Sequence, residues 1–235
     1  MTWHYRVTTA YGWASTYGTE QTDNASEIWR TLVNVHGWTE NSASAVIGNF
    51  QAESSLNPGQ FEHGYNYSMS RGFGLGQWTP ATKISNYIGS TNKDDMSDGA
   101  KQMLYFLGSP GQYSTYFLNP DGSSNYYGET GLPYITNMTD FSHSNASVSD
   151  LTKLWAICWE RPGAQYYHTS INDRISHANH WHNEFSGSPS PDPPDPPDPP
   201  DPPTPPIPPT PPKPPTPFEA QMMFFMFLRK RKKRY

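Results

Sequence analysis

Glu53 stands in the stretch NFQAESSLNP, residues 49–58, between a run of apolar helix formers and an Asn-Pro turn. Cleavage of a glycosidic bond needs a carboxyl that still holds its proton near neutral pH, and apolar surroundings supply one by penalising the charged form. A helix ending here adds exposed carbonyls whose negative field acts in the same direction. Downstream, Tyr65, Tyr67, Phe73 and Trp78 offer broad faces for stacking on sugar rings, and Asn66 and Gln77 offer amides to hydroxyl and acetamido groups. Glu53 is the candidate general acid, and aromatic plates with amide hydrogen bonders suit a polysaccharide.

A second group is less defined. A retaining glycosidase holds its nucleophile ~5–5.5 Å from the acid, and an inverting one holds its base at ~6.5–9.5 Å. Glu62, in QFEHGY, is the nearest downstream candidate, and Glu160 is open between pairing with Arg161 or Arg174 and facing substrate. Cys158, the single cysteine, reads as a buried small hydrophobe and permits no internal disulfide. His168, His177, His180 and His182 lack a metal-ligand spacing such as HExxH, so neither metal nor cofactor is expected.

NFQAESSLNP followed by GFGLGQWT resembles the phage tail lysozyme family, which carries a similar Asn-x-x-x-Glu-Ser-x-x-Asn-Pro segment and then Gly-x-Gly-Leu-x-Gln-Trp. The Glu-Ser and Gly-Leu-x-Gln elements also look like those of goose-type lysozymes and soluble lytic transglycosylases. WAICWERPG and SINDRISHANHW are similar to the family's aromatic-Glu-Arg-Pro element and its final Arg-x-x-x-Ala helix. The resemblance runs from about Ala25 to Phe185. It implies a lysozyme-like fold, with Glu53 as catalytic acid. It places Gly74, Leu75 and Gln77 in the loop lining the sugar groove, with Glu160 and Arg161 supporting it. The third element differs from the Ala-Tyr-Asn of lytic transglycosylases, and hydrolysis and lytic transglycosylation both remain open.

These residues must be positioned mainly by helices. From Asp23, with Asn24 or Ser26 as cap, Ile28, Trp29, Leu32 and Val33 share one face, and Gly37 suits a left-handed stop. A second helix begins at Thr39, carries Ala43, Val46, Ile47 and Phe50, and ends between Glu53 and Leu56, because Pro58 disfavours helix at Asn57. Residues 59–76 read as loop or a small hairpin. Thr79 as cap with Pro80 in the first turn starts a helix through Ile84, Tyr87 and Ile88. Another spans Ser97 to Leu107, residues 108–146 read as loops around a short helix, and two more helices cover Ser149–Trp159 and Ser170–Phe185. The fold class is mainly α (α+β), a lysozyme-like domain with a loop-rich or small β-hairpin insert.

Composition divides the chain into an N-terminal extension (1–22), the domain (23–187), a Pro-rich linker (188–217) and a short tail (218–235). Residues 1–187 hold 9 Lys and Arg against 16 Asp and Glu, a net of −7, whereas residues 188–235 hold 7 against 5. The acidic domain carries no electrostatic footprint for nucleic acid. Of 25 prolines, 19 lie between Pro189 and Pro217, and the period of three matches polyproline II. At ~3.1 Å per residue the linker spans roughly 90 Å. Beyond it, MMFFMFL and the basic run Arg229–Arg234 suit docking on another tail protein or an anionic membrane surface, with a basic nucleic-acid contact as the third reading. The first residues lack the pattern of a secretory signal. The expectation is a virion-associated enzyme that opens peptidoglycan glycan strands for genome entry. The alternatives are an endolysin acting at release and an inert peptidoglycan-binding or structural tail module.

Overall fold

The computed structural model describes residues 2–10, 13, 16–108 and 127–187. The Pro-rich linker, the 218–235 tail and part of the 108–146 stretch lie outside these residues. The helices are α1 (Thr19–Trp29), extended by a π-helical turn (Arg30–Val35), α2 (Glu40–Ser54), α3 (Thr82–Ile88), α4 (Lys93–Met96) and α5 (Gly99–Gly108). They are followed by α6 (Met138–Ser142), α7 (Val148–Trp155) with a second π-helical turn (Ala156–Glu160), and α8 (Ala164–Phe185). Among the described residues the β content is two isolated bridges, Thr8 with Gln60 and Phe61 with Phe73. The protein is thus mainly α, and the segment between α2 and α3 is irregular loop held by these bridges.

α2 is the central element. Thr39 caps it by accepting a hydrogen bond from the Ser42 amide, and Ser55, left-handed at φ 56°, ends it. Ala43, Val46, Ile47 and Phe50 are fully buried, and so are Ser42, Ser44 and Asn49, so the helix is covered on nearly all sides. Its buried polar groups find partners: the Ser42 hydroxyl donates to the Phe141 carbonyl (2.6 Å) and the Asn49 amide donates to the carbonyls of Ala45 (2.8 Å) and Thr152 (3.2 Å). α8 and α7 pack on it. Phe50, Phe106, Phe141, Trp155 and Trp159 add edge-to-face and stacked aromatic contacts among α2, α5, α6, α7 and the π-helical turn that follows it.

Three helix starts differ from the sequence expectation. α1 begins at Thr19 with Gly18 as cap, because Asn24 does not cap but lies buried inside the helix. Its amide donates to the carbonyls of His4 and Leu56 (2.8 Å each), which ties the N-terminal strap and the end of α2 to α1. Pro80 precedes α3 rather than entering it, and Thr82 is the first helical residue. The final helix begins at Ala164, ahead of Ser170, since Tyr167 is fully buried and its hydroxyl donates to Glu129 (2.8 Å). At α1 and α8, tertiary contact outweighs local propensity.

The crossing of α2 and α8 is tight at Gly48, where a Cβ would lie 2.6 Å from the backbone nitrogen of Ala178 and 2.7 Å from its Cα. Gly to Ala within a helix ordinarily gains up to ~1 kcal/mol. Overpacking against immovable backbone costs about 1–3 kcal/mol. G48A is therefore expected to lower unfolding free energy by about 1 kcal/mol or more in urea titration, whereas a neutral or stabilising result would show that the two helices separate freely.

Candidate active site

Glu53 occupies the last turn of α2, where the left-handed residues Ser55 and Leu56 (φ 56° and 58°) turn the chain away. The next residue anchors the facing loop: the Ser54 hydroxyl bonds the carbonyls of Phe50 (3.0 Å) and Leu75 (2.9 Å). Gln102 of α5 fixes that loop from the other side. It accepts from the Leu75 amide (2.9 Å) and donates to the carbonyls of Pro58 (2.7 Å) and Met96 (2.8 Å). Gly74, at φ +80°, is needed because a Cβ would fall 2.5 Å from the Gln102 oxygen. The loop therefore delivers Gln77, itself left-handed at φ 44°, whose amide donates to the carbonyls of Gln60 (3.1 Å) and Gly74 (3.0 Å).

The opposite side comes from the end of α7. There the turn widens to a π-helical one, closed by the Arg161 amide donating to the Ala156 carbonyl (2.8 Å), and Arg161 is left-handed at φ 50°. Such widened turns occur frequently at functional sites. The result brings Glu160 over α2. Glu53, Glu62, His63, Gln77, Thr79, Glu160 and Tyr166 line a single cleft of about 460 Å³. Trp78, Lys83 and Arg161 line an adjoining pocket of about 190 Å³ that shares Gln77, Thr79 and Glu160 with it.

Under the cleft lies Arg174 of α8, fully buried. Its guanidinium donates to Asn49 Oδ1 (2.9 Å) and to Glu53 Oε1 (2.5 Å), and its Nε reaches Ser170 (3.3 Å). Burial alone would lower the Arg174 pKa, but the carboxylates of Glu53 and Glu160 reverse this and hold it above its ordinary value. Glu160 accepts the indole N–H of Trp155 (3.0 Å). Burial first, and the neighbouring Glu53 second, push its carboxyl up to about 8 against the lowering effects of Arg174, the Trp155 bond and Arg161.

The other sequence candidates separate. Glu62 lines the cleft, accepting from the Gly72 amide (3.0 Å) with Arg71 4.0 Å away. Phe73 and Leu75 are fully buried and belong to the core, and Trp78 packs edge-on against Phe50 and Tyr105. Tyr65 and Tyr67 are exposed, with Arg71 over the first ring (4.0 Å) and Lys93 over the second (3.9 Å). Cys158 is buried and its thiol is pushed up to about 12, chiefly by that burial. His177 bonds the Tyr17 hydroxyl (2.6 Å), His180 stacks on the Tyr17 ring and His182 meets Asn41 (2.9 Å). Sequence reasoning did not place Arg174 at the site. Its signal was a cation on an otherwise apolar stripe: Ile171, Arg174, Ala178 and Trp181 follow helical spacing, and all four are buried.

A carboxylate at a helix end, an amide-bearing loop beside it and a second carboxylate from a late helix thus meet at one cleft of a mainly α, lysozyme-like domain. Residues 23–185 match the phage tail lysozyme family, and the chain belongs to that family. It is similar to Morphogenesis protein 1 of Bacillus phage B103, 30% identical over 175 residues, an alignment covering 73% of this chain and 41% of that relative. The chain thus spans less than half the length of that protein.

Two stability measurements probe the ion cluster. R174M leaves Asn49 and Glu53 without their donor and should cost about 3 kcal/mol, the low end of the range for breaking a buried pair, since 17% of the Glu53 side chain is open to the cleft. The folded Glu160 carboxyl binds its proton up to about 8 against 4.5 ordinarily, so between these values the folded state holds the extra proton and stability falls as pH rises. In melting curves, wild type should lose stability relative to E160Q across that window. Parallel pH dependences would contradict it.

Proposed function

We propose that this chain is a muralytic glycosidase carried by a phage tail, cleaving the β-1,4 bond between N-acetylmuramic acid and N-acetylglucosamine in peptidoglycan to help the genome enter. The observation that carries the reading is convergence. Glu53 from NFQAESSLNP, Gln77 from GFGLGQWT and Glu160 from WAICWERPG, distant in sequence, line one cleft. Glu53 is the catalytic carboxylate that the family motif marks, and the cleft is open to an extended strand. The match to the phage tail lysozyme family and the likeness to a phage morphogenesis protein support a role in the particle. Attachment is assigned to residues 218–235, on the strength of their apolar and basic halves.

E53Q is expected to slow clearing of purified cell wall by ~10²-fold or more, as removal of a catalytic proton-transfer carboxylate does. Equal clearing by both proteins would sink the assignment, and wall binding without clearing by wild type would favour an inert module. Mass spectrometry of the products separates hydrolysis, with reducing ends, from transglycosylation, with 1,6-anhydro ends. Antibody detection in purified particles, lost on deleting residues 218–235, tests the location.

A further inference from the structure

Lys83 and Arg161 are not used by the chemistry assigned to Glu53, yet both line the pocket of about 190 Å³ that adjoins its cleft. Lys83 comes from α3, and Arg161 comes from the left-handed residue that ends the π-helical turn after α7. Lys83 is half-buried and Arg161 is exposed. Gln77, Thr79 and Glu160 belong to both compartments, so a strand lying in the cleft passes the mouth of this pocket.

The two compartments differ in charge. Three carboxyl groups, Glu53, Glu62 and Glu160, line the cleft. In the adjoining pocket Glu160 is the one acid among the described lining residues, set against two cations, so the balance is positive whether or not Glu160 holds its proton. A positive pocket is a local exception in a domain with a net charge of −7, and low-dielectric walls focus its field. Trp78, on the same wall, carries a buried indole N–H with no acceptor among the described residues. Its Cε2, bonded to that nitrogen, would lie 3.3 Å from a Cβ at Gly76, another residue of the pocket. The pocket thus offers a guanidinium, an ammonium and an unmet neutral donor, which suits a ligand bearing a carboxylate and a carbonyl.

We infer that the pocket of Lys83 and Arg161 receives a carboxylate of the peptide stem carried by N-acetylmuramic acid, so that the enzyme selects stem-bearing glycan over bare glycan; this rests on the glycosidase reading above. The sugars of the strand are themselves uncharged, and they enter the cleft lined by carboxyl groups. The stem hangs from the lactyl group of every second sugar and brings both carboxylates and amide carbonyls. In the cleft those carboxylates would meet acids, whereas one step aside they meet Arg161 and Lys83. The guanidinium fork matches a carboxylate in two parallel hydrogen bonds, and the ammonium adds a point charge. Wall phosphates bear the same sign of charge, but the stem is bonded to the strand being cut and arrives with it.

The test uses peptidoglycan freed of wall phosphate, before and after an amidase has removed its stems. New chain ends are counted by mass spectrometry, and kcat/KM on the two substrates is compared for wild type, K83Q, R161Q and K83R, with melting curves alongside. Wild type is expected to favour the stem-bearing strand ~10-fold or more, the worth of one charge-assisted hydrogen bond. K83Q and R161Q are each expected to lower that preference ~5-fold, and K83R to keep it within about twofold of wild type. Folded K83Q and R161Q with the wild-type preference, even if both rates are reduced, would overturn the subsite and leave the glycosidase reading intact. Wild type that cuts bare and stem-bearing strands equally well would overturn it too, whatever the folding of the variants, and a preference seen only on wall that retains its phosphate would do the same. Wild type that cuts neither substrate would remove the glycosidase reading itself.

Discussion

The buried guanidinium of Arg174 is the constraint around which the rest of the site is arranged. A charge with no solvent exposure is tolerable only where its donors are met, and here the acceptors come from α2 through Asn49 and Glu53 and from its own helix through Ser170. That requirement fixes the register between α2 and α8, and Gly48 lets their backbones approach closely enough to satisfy it. The same cation gives the two neighbouring carboxyl groups different environments, one bonded to it and one not.

Polar groups buried for structural reasons also position the walls of the cleft. Ser54, next to Glu53, bonds the carbonyl of Leu75, and Gln102 bonds the amide of the same residue, so the loop bearing Gln77 is held between α2 and α5. Asn24 ties the chain just past this same end of α2 to the N-terminal strap. The aromatic cluster of Phe50, Phe106, Trp155 and Trp159 supplies the apolar bed above which Glu160 sits. The widened turn at Ala156–Glu160 and the left-handed Arg161 are local departures from regular helix, and both flank the cleft.

Much of this was legible along the chain. Apolar spacing marked α2, Thr39 marked its start, and Pro58 with Asn57 marked its end near Glu53. The stripe of Ile171, Ala178 and Trp181 marked the last helix, although its first turns were missed because Tyr167 is helical through burial rather than propensity. Aromatic composition misled where a ring can serve equally as core or as sugar platform. Phe73 is core, Trp78 packs on Phe50 while lining the pocket beside the cleft, and Tyr65 and Tyr67 lie exposed beneath cations. Residue type states what a side chain can do, and burial decides whether it does so.

The sequence by itself determined the family and the mainly helical architecture and singled out Glu53 as the candidate carboxylate, because periodicity, turn residues and short motifs are local properties. Only the tertiary structure decided that Arg174 meets Glu53 and Asn49 across 121 and 125 residues of chain, and that Glu160 closes the same cleft. Proton affinity depends on desolvation and on charges a few ångströms away, and those distances come from helix packing, which no local pattern specifies.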